Sequence, residues 1–193
     1  MTKVQLTPNT TLFPVPIVLI TCGVRDEANL FTVNRISSCN AEPPMIAISV
    51  RPSRASHDLI EELGEFVVNI PRSDMELVCD YVGTTTVRKT DKWTETGLTR
   101  LPATAVKPPL IAQCPVNIEC QVRYNITLPS HCLFVAEVVA LHADESVLNE
   151  RQEVDFALAH GLSYWSGVVR ERPVDNFRPD KLLRKVQAWS SYA

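Results

Sequence analysis

Residues 116–128 alternate strictly between apolar and polar side chains, and this run constrains the fold more than any other part of the chain. A period of two predicts a long β-strand with one buried and one solvent-exposed face. Pro129 and Ser130 then provide a turn, and residues 131–142 form a second apolar-rich run of similar length. Two long strands joined by so short a turn predict an antiparallel hairpin at the centre of a β-sheet. The apolar members of the first run are Val116, Ile118, Cys120, Val122, Tyr124, Ile126 and Leu128.

Shorter β-prone segments precede this hairpin, and each is bounded by polar, glycine or proline residues. They cover residues 16–22, 29–34, 45–50 and 65–70. The stretch 36–44 is small, polar and ends in two prolines, so we expect a loop there. Together the segments predict a mainly β protein, a closed or nearly closed antiparallel barrel with helices at its side.

Two helices are expected between the strands. Ser56 is a plausible N-cap for the first, which should end at Gly64. Ser73 and Glu76 have the spacing of a capping box, which predicts the start of the second. Residues 84–92 are polar and basic, so they predict an exposed loop.

Composition excludes several classes of function. The 193-residue chain has a net charge of −3, so no basic field suits nucleic acid or a membrane surface. Its longest apolar run, residues 15–22, is too short to cross a bilayer, and no signal-peptide pattern precedes it, so we expect a cytoplasmic protein. Six scattered cysteines without a C-x-x-C pair indicate reduced, mostly buried thiols. No cluster of histidine and acidic residues predicts a metal site, and no nucleophile with a paired base predicts hydrolysis.

The tail differs in character from the rest of the chain. We expect one barrel domain over residues 1–170 and a tail over residues 171–193. Residues 180–189 place four apolar side chains on one face of a helix, namely Leu182, Leu183, Val186 and Trp189. This face could dock on its own barrel or on a second subunit, and the sequence leaves both alternatives open.

The chemistry-bearing feature is a cluster of arginines and serines at the predicted start of the first helix. Free N–H groups, the positive end of the helix dipole and guanidinium groups all favour a phosphate there. Arg88 or Lys89 from the later loop would add charge. The chain has six glycines and no G-x-G-x-x-G pattern, so side chains rather than a glycine-rich turn would hold the phosphate. The cluster consists of Arg51, Ser53, Arg54 and Ser56.

The same region carries a family resemblance. The pattern NLFTV…PPM-x-x-ISVRPSR-x-SHDLI-x-E-x-G-x-FVVNIP resembles the flavin reductase-like FMN-binding split-barrel proteins, the group that includes flavoredoxin. RKTDK at 88–92, ETGL at 95–98 and SHCLFVAEV at 130–138 also fit this family. The resemblance covers roughly residues 12–170.

The resemblance implies that FMN contacts the strand ends and the segment that follows the 29–34 strand. His131 is implied as the catalytic residue, since related reductases carry a histidine near the flavin and nicotinamide. Relatives have an alanine and an aromatic residue where Asn34 and Arg35 stand here, and an arginine facing the flavin would raise its reduction potential. The implied FMN contacts, beyond the phosphate cluster, are Thr32, Val33, Asn34, Ser37, Ser38, Cys39, Asn40, Ser49 and Val50.

The implied function is an NAD(P)H-dependent flavin reductase that passes electrons through bound FMN. NADH or NADPH would be the donor, and the protein would be a homodimer with the flavin near the subunit interface. The alternative is a non-enzymatic FMN electron carrier that works with a redox partner protein. A third hypothesis is a flavin-free binding protein on the same barrel.

Overall fold

The computed structural model describes residues 2–10, 12, 14–88, 90–165 and 168–171. The predicted helix at 180–189 and Lys89 lie outside these residues. A seven-stranded antiparallel sheet dominates the fold, in the order β3-β2-β6-β9-β10-β5-β4. Its strands are β2 (Val18–Cys22), β3 (Asn29–Val33), β4 (Ile36–Asn40), β5 (Met45–Val50), β6 (Glu65–Ile70), β9 (Val116–Thr127) and β10 (Cys132–Ala143).

The chain connectivity forces this sheet to curl. β3 and β4 form its two opposite edges, yet only Asn34 and Arg35 separate them along the chain. In a flat sheet the edges would lie about 29 Å apart, whereas so short a connection spans about 10 Å at most. The sheet therefore forms a curled half-barrel whose edges approach each other at residues 34–35. This confirms the predicted antiparallel barrel.

Smaller elements cover the half-barrel. The helices are α1 (Ala55–Leu63), α2 (Glu76–Thr84), α3 (Lys92–Thr96) and α4 (Phe156–Ala159). β1 (Val15–Pro16) pairs with β11 (Leu162–Trp165), which pairs with β12 (Val168–Glu171). β7 (Arg100–Leu101) and β8 (Leu110–Ile111) form a two-stranded sheet.

Apolar side chains pack on both sides of the central strands. Val18, Ile20 and Phe66 belong to the core inside the curl. Leu19 faces the opposite way and packs in a second core that includes Val82 of α2. β2 is therefore buried on both faces, as its uninterrupted apolar sequence predicts. All six cysteines are free thiols, and only Cys39 is exposed.

Two predicted helix starts are wrong. α1 begins one residue before Ser56, and Arg54 occupies its N-cap position without a side-chain capping bond. The Ser56 hydroxyl is buried and accepts a hydrogen bond from Asn29 instead. Ser73 and Glu76 make no capping box, because a short 3₁₀ turn over Ser73–Met75 precedes α2. Gly64 does end α1 in the left-handed conformation, with φ +69°.

The predicted loop at 36–44 is wrong over its first half. Residues 36–40 form edge strand β4, which pairs with β5 although its composition is polar. An edge strand with solvent on one side tolerates polar side chains, so composition alone does not separate it from a loop. Residues 41–44 form the turn between the two strands.

The central hairpin is confirmed, but its burial differs from the simple alternation. Val122 pairs with Ala136, whereas Tyr124 pairs with Val135, so Arg123 is an extra residue in a β-bulge. A bulge reverses which face later residues present. Tyr124 and Ile126 consequently point away from the core and are 62% and 48% exposed.

The predicted solvent-exposed face of β9 is buried near its start. Asn117 and Glu119 are 7% and 0% exposed, because the segment before β9 lies over them. Asn117 donates a hydrogen bond to Asn69, and Glu119 accepts from backbone N–H groups of residues 104–106. Both polar groups are therefore satisfied by tertiary contacts that the strand sequence does not show.

Candidate functional site

A cleft lies where the two edges of the sheet approach each other, and we call it the seam cleft. The cleft is open to solvent on one side and has a volume of about 150 Å³. It is bordered by the end of β3, the 34–35 connection, the end of β5, the start of α1 and the end of α2. The residues around it are Asn29, Phe31, Thr32, Val33, Asn34, Arg35, Ser49, Val50, Arg51, Arg54, Ala55, Ser56, Val82, Gly83, Thr85, Thr86, Val87, Lys92 and His131.

The charges of the seam cleft have one sign. Arg35, Arg51, Arg54 and Lys92 line it, together with His131. None of the described residues along the cleft is an aspartate or glutamate. The chain as a whole carries a net charge of −3, so this concentration of cations is local. Such a cleft raises the local concentration of anionic ligands.

Lys92 provides a buried cation beside the cleft. The residue is 3% exposed, and its Nζ donates hydrogen bonds to the carbonyl oxygens of Leu30 and Val82, each at 3.0 Å. An ammonium has three donors, so one N–H is left for a ligand. Burial, and then the charge of Arg54, lowers the pKa of Lys92 to about 8. The expectation that Lys92 lies in an exposed loop is therefore wrong.

Asn29 provides an unpaired acceptor at the same place. Its side chain is 2% exposed, and its Nδ2 donates to the Ser56 hydroxyl at 2.8 Å. Its Oδ1 is buried without a hydrogen-bond partner, the single such side-chain atom identified among the described residues. An unpaired buried acceptor costs about 1–3 kcal/mol, which a ligand donor would recover.

His131 completes the cleft from the start of β10. Its Nδ1 lies 2.9 Å from the Ser130 hydroxyl. Burial lowers the pKa of His131, and the charges of Arg35 and Arg51 lower it further. The neutral imidazole is therefore favoured, and it offers the cleft a hydrogen-bonding group.

The structure brings many of the predicted site residues to this cleft. Ser37 lies at a second cleft next to it, whereas Ser38, Cys39, Asn40, Ser53 and Arg88 line neither. Cys39 and Asn40 instead hydrogen-bond to backbone carbonyls of the adjoining turn and strand. The predicted residues that line the seam cleft are Thr32, Val33, Asn34, Ser49, Val50, Arg51, Arg54, Ser56 and His131.

Sequence reasoning missed Asn29, Lys92 and the end of α2 as parts of the cleft. Two local signals were available. Asn29 is a polar residue at the start of a β-prone run, and Lys92 lies between a helix-capping aspartate and Trp93. Close packing explains why residue 83 is a glycine, since a Cβ there would lie 3.2 Å from Cβ of Thr32. Because glycine lacks a Cβ, α2 can approach β3 closely.

These groups suit a ligand that carries a phosphate and hydroxyl groups. The N-terminus of the nine-residue helix α1 adds N–H donors beside Arg51 and Arg54. The Asn29 Oδ1 requires a donor, which a hydroxyl supplies. In the described residues, no group of three or more histidine, cysteine or acidic side chains is arranged to hold a metal ion. No helix there is long and apolar enough to span a membrane.

Comparison with known proteins identifies the family. The model of the flavin reductase like domain matches residues 10–171. An uncharacterised protein of Pyrococcus abyssi is 32% identical over 129 residues, which cover 67% of this chain and 74% of the relative. Flavoredoxin of Desulfovibrio vulgaris superimposes with a TM-score of 0.80 at 26% identity, covering 93% of this chain and all of the other.

A second solved structure gives the same result. Flavoredoxin from Methanosarcina acetivorans superimposes with a TM-score of 0.80 at 28% identity and covers 95% of this chain and all of the other. The resemblance seen in the sequence motifs is thereby confirmed. Since the family model spans most of the chain, this protein belongs to the flavin reductase-like domain family.

Proposed function

We propose that the seam cleft holds FMN and that the protein is an NAD(P)H-dependent flavin reductase. The observation that carries this proposal is that the charged side chains described along the cleft are all cations, next to a buried acceptor that has no partner. FMN combines a dianionic phosphate with a hydroxyl-bearing chain, so it complements both features. When bound, FMN supplies the two-electron redox chemistry, and the protein supplies binding, orientation and access.

The residues divide into two roles in this proposal. Arg51, Arg54 and the N–H groups at the start of α1 hold the phosphate, and Lys92 directs its remaining N–H to the same ligand. Asn29 accepts a hydrogen bond from a hydroxyl group through Oδ1. The backbone from Thr32 to Asn34 and at Ser49 and Val50 borders the cleft and would orient the rest of the cofactor. Arg88 lines neither cleft, so in this proposal it would act on the approaching nucleotide rather than on the phosphate.

His131 is proposed to act beside the redox group. The neutral imidazole can hold a proton on Nε2 while Nδ1 faces the Ser130 hydroxyl. It would therefore donate a hydrogen bond to the bound flavin or to the nicotinamide donor. The nearby charges of Arg35 and Arg51 would favour negative charge that develops there.

The second candidate function is an FMN electron carrier that exchanges electrons with a partner protein. Either function is proposed to take place in the cytoplasm. The carrier is favoured by one observation. Next to the seam cleft, the second cleft has a single cation, Arg35, among its described lining residues. A pyridine dinucleotide carries two phosphates, so its binding would be weak and brief.

Anaerobic mixing experiments test the two functions against each other. The purified protein should show a flavin absorbance spectrum after FMN is added and excess cofactor is removed. Rapid mixing with NADH or NADPH should then bleach the flavin band at a rate that saturates with nucleotide. A flavin that both nucleotides leave oxidised, and that dithionite reduces, would support the carrier and contradict the reductase.

The proposed homodimer is supported by an apolar patch on the outer face of the hairpin. After the bulge at Arg123, Tyr124, Ile126 and Leu128 are 62%, 48% and 43% exposed. The seam cleft, at about 150 Å³, is also smaller than the roughly 300–1,000 Å³ of a typical ligand pocket, so a second subunit would be needed to cover the cofactor. Light scattering should give twice the 21.6 kDa of one chain.

A substitution on the patch tests its role in dimerisation. Ile126→Lys should shift the mass toward that of one chain, because it places a charge in the interface. Leu77→Lys is the matched control, since Leu77 is 84% exposed on α2, away from the hairpin. A mass of one chain for the unmodified protein with FMN bound would contradict the dimer.

A further inference from the structure

A second cleft adjoins the first on the outer side of β4 and β5, and we call it the apolar cleft. Its volume is about 450 Å³, three times that of the seam cleft, whose volume is about 150 Å³. Most of its walls are hydrocarbon, and the N-terminal segment and β11 contribute to them. The apolar side chains are Leu12, Val15, Ile36, Ala47, Leu133 and Tyr164.

A single charged residue lines the apolar cleft. Arg35 is that residue, and the described polar residues around it are uncharged. No carboxylate lies along the described walls of either cleft, so nothing there neutralises the guanidinium. Arginine binds carboxylates through two parallel hydrogen bonds, and it does so most strongly beside apolar surface, where water competes less.

The position of Arg35 is fixed by the fold. It belongs to the two-residue connection across the sheet edges, and its carbonyl accepts a hydrogen bond from Ser49 N–H at 3.0 Å. Arg35, Asn34 and Ser49 line both clefts, so the two volumes share one wall. Arg35 and His131 both line the seam cleft, and the charge of Arg35 contributes to the lowered pKa of His131.

We infer that the apolar cleft binds a small organic acid, with its hydrocarbon body against Leu133 and Ile36 and its carboxylate on Arg35. One cation in a cleft whose walls are mostly apolar selects for one negative charge on an apolar body. A neutral ligand of the same shape leaves the guanidinium without a partner, and a small hydrophilic anion leaves the apolar walls exposed to water. The inference rests on the proposed function only in that the acid would lie next to the flavin.

Three probes, namely benzoate, benzamide and acetate, separate the contribution of the negative charge from that of the apolar body. Each is titrated into the full-length protein with and without FMN, and binding is measured by equilibrium dialysis, which does not depend on the flavin spectrum. The affinity for benzoate should exceed that for benzamide by about tenfold or more, as expected for one charge-assisted pair. Benzoate should bind more tightly than acetate as well, because acetate buries little apolar surface.

Two variants and one control variant connect the binding to the cleft. Arg35→Gln should remove the preference for benzoate over benzamide, while Arg151→Gln, which deletes an exposed arginine outside both clefts, should retain it. Ala47→Leu fills the cleft and should weaken both aromatic probes about equally. Circular dichroism spectra of all three variants check that they are folded.

The results distinguish this inference from the proposed function. Benzoate binding with the Arg35 dependence supports the inference even if FMN does not bind. FMN binding together with equal affinity for benzoate and benzamide overturns it. Failure to bind any of the probes, as when a second copy of the chain covers the cleft, overturns it as well.

Discussion

Two buried charged residues, Glu119 and Lys92, lie in parts of the molecule that treat charge in opposite ways. Glu119 is 0% exposed, and its carboxylate accepts from the N–H groups of Thr104, Ala105 and Val106 as well as from the Thr104 hydroxyl. His142 Nε2 lies 2.6 Å away. Lys92 is 3% exposed, but its ammonium group makes two hydrogen bonds to the described residues, and it borders a cleft lined by further cations.

The pKa values express this difference. Burial alone would raise the pKa of Glu119, but the surrounding donors outweigh it and lower the pKa to about 2. For Lys92, burial and Arg54 act in the same direction and lower the pKa to about 8. A buried charge whose partners are complete stabilises the fold, whereas one that is short of partners is poised to bind a ligand. Substitution of Glu119 should therefore reduce stability most, whereas substitutions in the seam cleft should reduce ligand binding.

The largest effect is expected from Glu119→Gln. The amide NH₂ would face backbone N–H donors, so the free energy of unfolding should fall by about 3–4 kcal/mol. Urea denaturation measures this loss, and the folded variant should bind FMN as the unmodified protein does. Glu137→Gln is the control, since its pair with Arg123 is on the surface and should contribute less than about 1 kcal/mol. A loss of less than about 1 kcal/mol in the Glu119→Gln variant would contradict the role of Glu119 in stabilising the fold.

The acid dependence of stability should come largely from the same carboxylate. Its pKa in the folded protein, about 2, lies below its ordinary value of 4.5. The stabilisation is therefore present above pH 4.5 and is lost as the pH falls towards 2, by about 3 kcal/mol at most. Unfolding curves from pH 5 to pH 2 measure it, and Glu119→Gln should show a flatter profile.

Lys92→Met should affect binding more than stability. We expect FMN affinity to fall about ten- to a hundredfold, because one charge-assisted hydrogen bond and one nearby charge are lost. The free energy of unfolding should change by less than about 1 kcal/mol, because the loss of the hydrogen bonds to the Leu30 and Val82 carbonyls is offset by no longer burying a charge. Fluorescence titration with FMN and with riboflavin distinguishes phosphate recognition from general damage. An equal loss for both ligands would contradict the proposed role.

Arg54→Ala should have a smaller effect, because Arg54 is exposed and water and salt screen its charge. We expect about a five- to tenfold loss of FMN affinity that shrinks as salt is added. Riboflavin affinity should stay constant. Arg72→Ala, an exposed arginine paired with Asp74 outside the cleft, provides the matched control.

The smallest effect is expected for the pH dependence of FMN affinity. Since the pKa of Lys92 is lowered to about 8, its charge is present at pH 7 and largely lost at pH 9. FMN affinity should therefore fall about three- to tenfold over this range, because the phosphate keeps its charge. The Lys92→Met variant should not show this dependence. Persistence of the full pH effect in that variant would assign it to another group.

Much of the fold follows from local sequence. Strand residues 65–70 coincide with β6, and Gly64 ends α1 where its conformational freedom predicts. The long hairpin is correct because a period of two favours a strand wherever it occurs. The arginine cluster at residues 51–54 lies beside a helix start, as its composition indicates. In each of these cases the deciding interactions are within a few residues of one another.

Long-range contacts decided what local sequence could not. β4 is a strand because β5 offers it a partner, and Tyr124 faces outward because a bulge at Arg123 reverses the alternation. Lys92 is buried because carbonyl groups from β3 and α2 meet its ammonium group. Closure of the sheet at residues 34–35 brings β3, β5, α1 and His131 around one cleft. Burial and ligand access depend on these distant neighbours, so only the tertiary structure could show them.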